Sequence, residues 1–413
     1  MKPELKRAIE NMKKYNSGNM YQECFGFEPD VEYDALVVAP GWKPTKIIRD
    51  PAYTVTALAQ HSYFSGYLVE KDGLKIAWAQ TASGACNVLD HIIICAKMEF
   101  RHLIFAGAVG GLTDGFDIGD FCTPEVCISG VYSSHYLDEK LPEFKPFEKI
   151  YPDKEYMREI IDLASRSGYE LRTAHVFNTD SISMEYSHLD EIKGTGAELI
   201  EMETGMFYTL ARLFEKPAIA LLAVSDNSAT GIPLLGRGED LAQRYIYTRS
   251  VVVPDMIFKI AGQAQYTWIK GAMPDGLAVR QVYGIVFSGD GQVLIRVEDG
   301  KNKLSGGKPE ENESFEETLA REYLEELNTE IEDIRYLGYL LVEENGEKYA
   351  QVRMTAGIKD MHDMRVDPAA GKMYGRKLVS MDKLKETLNY ADAAGNHMLD
   401  DAICMAKAKN SKG

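Results

Sequence analysis

The sequence predicts two folds in tandem, an α/β domain whose sheet is largely buried and a smaller α+β domain after it. Three observations carry this. Apolar segments alternate with helical patterns from about residue 35 to residue 264. The alternation stops in a stretch bearing Gly and Pro and restarts at Val282 with a hairpin pattern. The length, 413 residues, also exceeds what one hydrophobic core ordinarily organises.

The elements follow in chain order. The first 30 residues are charged and amphipathic, which suits a helix and a lead-in. Strands are expected at Ala35–Ala39, Lys75–Gln80, Leu103–Ala106, Phe121–Ile128, Leu171–Phe177 and Ala218–Val224. Helices are expected at Val88–Lys97, Glu155–Ser167, Glu201–Phe214 and Arg244–Ala264. Gln265–Gly276 reads as a connector, so the domains run over residues 1–265 and 276–413. Beyond it, VYGIVFS and QVLIRVE flank a turn at Gly289–Gly291. A Gly-rich loop and an acidic helix come next, then strands near Arg335–Glu343 and Lys348–Ile358 and a last helix near Asn396–Lys407.

Composition narrows the partners. A net charge of −17 argues against broad nucleic-acid binding, because phosphate contacts need a basic surface. No apolar run has the length of a membrane span, and the start, MKPELKRAIENMKKY, is too charged for a signal peptide, so a cytoplasmic protein is expected. The six cysteines form no CxxC pair and no Cys/His quartet, so neither structural zinc nor a disulfide framework is expected.

The strongest motif is GKPEENESFEETLAREYLEELNT, residues 307 to 329. Ser314 and Glu317 have the spacing of a capping box and would start a helix. On that helix Glu322, Glu325 and Glu326 stand at i, i+3 and i+4, so three carboxylates share a face. Clustered hard oxygen ligands suit Mg²⁺ or Mn²⁺, which would bridge to a diphosphate. An acidic, solvated helix face would explain the glutamates, but not the residues around them. The segment resembles the Nudix hydrolase signature, with Gly307, Glu313, Arg321, Glu322, Glu325 and Glu326 at the required spacing. Six such matches arise by chance about once in 10⁷ starting points. The resemblance implies an α/β/α sandwich, an ion pair between Glu313 and Arg321 that supports the metal site, catalytic roles for Glu325 and Glu326, and hydrolysis of a nucleoside-diphosphate compound. Asn328 and Thr329 depart from the family's Gly and aliphatic residue. Asn is the next best residue for a left-handed helix cap.

Residues 33 to about 264 carry ALVVAPG (35–41), FSG (64–66), FAGAVGGLTDGFDIGD (105–120), IEMETGMF (200–207) and ALLAVSD (220–226). In that order they resemble the nucleoside phosphorylase and nucleosidase superfamily, which cleaves the bond between base and ribose. The resemblance implies a central mixed sheet flanked by helices and a homo-oligomer in which neighbours complete the site. Cleaving that bond needs a proton for the leaving purine, a grip on the ribose and a nucleophile. Asp226 follows an apolar strand, where a partly buried carboxyl can act as an acid. Glu203 would hold the ribose hydroxyls with Met202 against the sugar, while Gly41 and Gly107, the latter in a loop from 107 to 111, let backbone approach the ligand. Gly119 and Asp120 suit a turn.

The nucleophile machinery departs from the family. Thr45, Phe105 and Ala108 stand where phosphorylases place two arginines and a hydroxyl residue, which leaves little to bind inorganic phosphate. The first loop, GWKPTK, also lacks the carboxylate with which hydrolytic members activate water. It offers Lys43 and Lys46, with Arg49 beyond; these could meet a phosphate carried by the substrate or be ordinary solvated cations. Hydrolytic cleavage of a purine nucleoside or nucleotide is therefore the favoured reading, ahead of phosphorolysis with an altered phosphate site. A third reading is a silent nucleotide sensor regulating the Nudix domain.

Overall fold

The computed structural model describes residues 2–14, 18–137, 145–344, 347–388 and 393–410. The chain divides into two compact units, Met1–Gly262 and Gln263–Gly413.

The first unit is built on a mixed sheet. Its strands are β1 (Tyr33–Val38), β2 (Thr54–Gln60), β3 (Ser65–Lys71), β4 (Leu74–Gln80), β5 (Phe100–Gly111), β6 (Phe121–Ser129), β7 (Glu148–Ile150), β8 (Arg172–Asn178), β9 (Leu199–Glu201) and β10 (Ala218–Asn227). They are ordered β10-β6-β8-β9-β5-β1-β4-β3-β2, and β10 also pairs with β5. Five strands thus close on themselves, with β1 to β4 extending from β5. Parallel pairings join β5 to both β1 and β10, and antiparallel ones join β5 to β9 and β6 to β10. The inner strands are apolar along their length because both faces are covered, as the burial of Leu36, Val37, Ile104, Leu221 and Val224 shows.

Two of the expected elements change character. Gly107–Gly111 is the second half of β5 and not a loop. Its glycines leave room for side chains of β10: a Cβ on Gly110 would stand 3.1 Å from Asp226 Oδ2, and one on Gly111 would meet the Asn227 side chain. Asp226 lies inside β10, opposite Gly110, at a register irregularity after Val224. The helix expected from Glu201 begins at Thr204, because residues 199–201 pair as β9.

The second unit holds β11 (Gln265–Ile269), β12 (Val279–Phe287), β13 (Gln292–Glu298), β14 (Lys301–Lys303), β15 (Gly306–Gly307), β16 (Thr329–Glu344), β17 (Glu347–Met361) and β18 (Gly375–Ser380). Their order is β11-β16-β17-β12-β13-β14, with β15 on β12 and β18 on β13. The sheet is covered on both sides, and strand alternation divides the core accordingly. Val282, Val286 and Leu294 pack with Leu319, Tyr323 and Leu327 of helix Phe315–Leu327. Ile285, Val293 and Ile295 pack with Met398, Leu399 and Ala402 of helix Ala393–Asn410. That is an α/β/α sandwich. Part of the expected connector is structured: Gln265–Ile269 pairs antiparallel with Tyr339–Glu343. Its hydrogen-bonding partner lies some 75 residues away in sequence, so no local pattern marks it.

Among the described residues no helix is long and apolar enough to cross a membrane.

Candidate functional sites

In the first unit a cavity of about 280 Å³ opens where β5, β9 and β10 meet. Gly41, Gly107, Met202, Glu203 and Asp226 all line it, together with Trp42, Phe105 and Ala108. Lys43 and Lys46 do not. The short helix Pro44–Ile47 buries Pro44 and Ile47, which leaves Lys46 exposed and Lys43 at the helix cap. The structure therefore does not bring the first-loop lysines to the cavity, and Arg49 is exposed and outside it as well.

Glu203 is buried at 6% exposure, and its Oε1 accepts from Gly84 N–H at 2.5 Å. Burial, then the neighbouring Glu201, lifts its pKa to about 8. Glu201 itself accepts from the N–H groups of Glu203 (2.7 Å) and Thr204 (2.9 Å), from Thr204 Oγ1 (2.8 Å) and from Asn178 Nδ2. A carboxylate so tied at the start of helix Thr204–Phe214 fixes the turn that presents Met202 and Glu203. Asp226 accepts from Ser225 Oγ at 2.6 Å. Burial raises its pKa, against the Ser225 hydrogen bond and the positive charge of Arg237. Arg237 donates to Ser225 O and lies 4.6 Å over the Tyr245 ring.

Sequence reasoning missed Glu185. It stands on the turn Glu185–Ser187 beyond β8 and lines the same cavity. Burial and then Asp226 raise its pKa to about 7. No spacing or composition marks it, since it lies 41 positions before Asp226 in an irregular segment. The lining thus holds four carboxyl groups, on Glu185, Glu201, Glu203 and Asp226, and no Lys, Arg or His among the described residues.

In the second unit the capping box is formed: Glu317 N–H donates to Ser314 Oγ at 3.2 Å, and Ser314 N–H to Glu317 Oε2 at 2.8 Å. Arg321 grips Glu313 with two prongs, Nε to Oε1 at 2.9 Å and Nη2 to Oε2 at 3.1 Å. That pair holds Glu313 down to a pKa of about 2. Gly307 crosses close over Glu322, for a Cβ there would stand 2.1 Å from Glu322 Oε1. A larger residue at 307 would force that carboxylate to move.

The three box carboxylates are not gathered. Arg321 Nη1 reaches Glu322 at 2.8 Å and Glu325 at 3.2 Å, while Glu326 pairs with Arg296 and accepts from Gly306 N–H at 3.2 Å. Among the described residues no group of three or more His, Cys, Asp or Glu side chains is arranged to hold a metal ion. Carboxylates facing arginines turn toward them, which spreads the trio expected from helix spacing. The donor set nevertheless fits a hard divalent cation: oxygen ligands only, beside backbone kept clear by Gly307. Glu322, Glu325 and Glu326 are the residues that would hold it. Burial, with Glu325 and Asp367 adding to it, raises the Glu322 pKa against the pull of Arg321.

Asp367 belongs to a loop that sequence reasoning left unassigned. It is buried at 5% exposure, and its Oδ1 accepts from the N–H groups of Ala369 (2.7 Å) and Ala370 (3.0 Å). Tyr374 of the same loop lies beneath the Arg296 guanidinium at 4.8 Å. Arg376 at its end donates to the carbonyls of Leu327 and His362 (each 2.5 Å). Asn328, in the left-handed region with φ 44°, donates from Nδ2 to Asp363 O at 2.6 Å.

Comparison with known proteins agrees with this division. Residues 37–241 match the phosphorylase superfamily and residues 278–392 the NUDIX domain. A DeoD-type purine nucleoside phosphorylase of Anoxybacillus flavithermus is 33% identical over 70 residues, covering 17% of this chain and 30% of that protein. The Listeria monocytogenes serotype 4a counterpart is 22% identical over 167 residues, 40% of this chain and 70% of that protein. Uridine phosphorylase from Vibrio fischeri ES114 aligns over 57% of this chain and 94% of its own at 15% identity, with a TM-score of 0.46. The chain is a fusion of a phosphorylase-superfamily domain and a NUDIX domain, and both mark it as an enzyme.

Proposed function

We propose that the first unit hydrolyses the N-glycosidic bond of an uncharged purine nucleoside, and that the second hydrolyses a nucleoside-diphosphate compound with Mg²⁺ or Mn²⁺. The observation that carries the first part is the cavity lining, with four carboxyls and no cation among the described residues. Inorganic phosphate, or a substrate phosphate, would find no lysine or arginine side chain in that lining to offset its desolvation. Water meets no such barrier.

The cavity residues divide the work. Glu203 accepts from the ribose hydroxyls, with Met202 against the sugar. Asp226, whose pKa burial raises, gives a proton to the leaving base. The C1′–N bond breaks as a water oxygen bonds to C1′, and the water's proton replaces the one Asp226 gave up. In the second unit a bound divalent cation supplies charge neutralisation at the diphosphate. The Glu313–Arg321 pair locks the loop before the helix, and Gly307 keeps the approach to Glu322 open.

One experiment tests both parts. The protein is incubated with adenosine, guanosine, inosine and a panel of nucleoside diphosphate compounds, with and without phosphate and Mg²⁺, and the products are weighed by mass spectrometry. Free purine and ribose should appear in phosphate-free buffer, and Asp226→Asn should lower that rate about 10²-fold or more. Diphosphate cleavage should require the metal and fall at least as far in Glu325→Gln. Ribose 1-phosphate formed only with added phosphate would overturn hydrolysis. Nucleoside binding without base release, coupled to altered diphosphate turnover, would replace it with the sensor reading.

A further inference from the structure

Of the four cavity carboxyls, three are already engaged. Asp226 accepts from Ser225, Glu203 from Gly84, and Glu201 from three residues around it. Glu185 is different: it is half-buried, lines the cavity, and its carboxylate has no hydrogen bond or ion pair among the described residues. An acceptor half withdrawn from water and without a donor gains when a ligand supplies one.

Position identifies which part of the ligand that is. The charge of Asp226 bears on Glu185, whereas the charge that bears most on Glu203 is that of Glu201. With Asp226 at the leaving base and Glu203 at the sugar, Glu185 stands on the base side of the cavity. Ile182 and Tyr186, from the same segment, line the wall beside it and offer apolar surface to a flat ring. In its ionised form Glu185 can only accept. It complements a ring edge that donates and gives nothing to an edge without N–H groups.

We infer that Glu185 selects the base, favouring purines that present amino or ring N–H donors on the six-membered ring. This rests on the assignment of the cavity to a purine nucleoside. Glu185 is the one lining carboxyl that accepts no hydrogen bond among the described residues. The recognised group is the amino group of adenine, or the paired ring N–H and amino groups of guanine, which a carboxylate can take with both oxygens.

The test uses ligands that cannot be cleaved, so that it stands apart from the hydrolysis question. Binding of 9-methylguanine, 9-methyladenine and 9-methylpurine to the full chain is measured by calorimetry in mildly alkaline buffer. The first two carry donors on the edge in question, and the third carries none. The wild type should bind the donor-bearing bases about tenfold or more tightly than 9-methylpurine. Glu185→Ala should abolish that gap while leaving 9-methylpurine affinity within about twofold. Glu185→Gln, which keeps one acceptor oxygen, should fall between, and both variants should melt no lower than the wild type. No gap in the wild type, a gap that survives Glu185→Ala, or equal weakening of all three bases would each overturn the inference. Loss of hydrolysis with the gap intact would instead strike only the reading of the reaction.

Discussion

At Glu203, burial and charge set up a measurable linkage. Its pKa in the folded chain is about 8, above the ordinary 4.5, so folding favours its protonated form. Stability from this group is present in full below 4.5 and is lost as pH rises through 8. Glu203→Gln removes the ionisation while its amide oxygen can still accept from Gly84 N–H. The melting temperature of the variant minus that of the wild type should be close to zero near pH 5 and grow positive toward pH 9, as scanning calorimetry across that range would show. A flat difference would mean that Glu203 ionises as freely folded as unfolded. Glu203 and Asp226 were legible in the sequence because each follows a patterned stretch, IEMETG and ALLAVSD. Glu185 was not, since only the folding of an irregular segment brings it to the cavity. Lys43 and Lys46 illustrate the converse: their charge is plain in the sequence, but the direction a four-residue helix gives them is not.

The helix Phe315–Leu327 was the most legible element, because its start, ion pair and carboxylate spacing are all local. Its end was not. Asn328 stands where the family has Gly, and the structure gives it two tasks: it adopts the left-handed cap and its side chain ties down Asp363. Arg376 closes the same joint by donating to Leu327 O at the helix terminus, where a cation also suits the helix dipole. Both partners lie far along the chain, so no short window could reveal them. The joint anchors the loop that carries Asp367 toward Glu322 and Tyr374 under Arg296. Arg376→Ala should therefore cost about 2 kcal/mol, read by denaturant titration. Asn328→Gly keeps the backbone conformation and loses only the tether. It should leave stability within about 0.5 kcal/mol but lower diphosphate turnover, while Asn328→Ala should also lose about 1 kcal/mol at the cap. Equal turnover in wild type and Asn328→Gly would separate the loop from the site.

For the whole molecule, the division at Gln263 has a consequence that the motif boundaries hide. A truncation guided by sequence pattern alone would begin near Gly276, where the Nudix unit's own strands start. The structure puts the five residues Gln265–Ile269 into the second sheet, paired with β16. Trp268 donates from Nε1 to Asp401 Oδ2 at 2.8 Å on the last helix, and Lys270 holds the other oxygen at 2.7 Å. Gly338 allows the close pairing, since a Cβ there would stand 2.6 Å from the Trp268 ring. Ile269 packs on one face of the sheet and Trp268 on the other, so the strand contributes to both halves of the core. We propose that the folding unit begins at Gln263. Residues 263–413 alone should be soluble and unfold in one cooperative step. Residues 276–413 should be less stable by about 3 kcal/mol or more, the scale of losing a packed Trp with its strand. They should also self-associate, because removing β11 bares the backbone edge at Tyr339–Glu343. Thermal melts and sedimentation of the two fragments decide the matter. Equal melting temperatures and monomers in both would show that β11 is dispensable, and the boundary would return to the Gly- and Pro-bearing stretch.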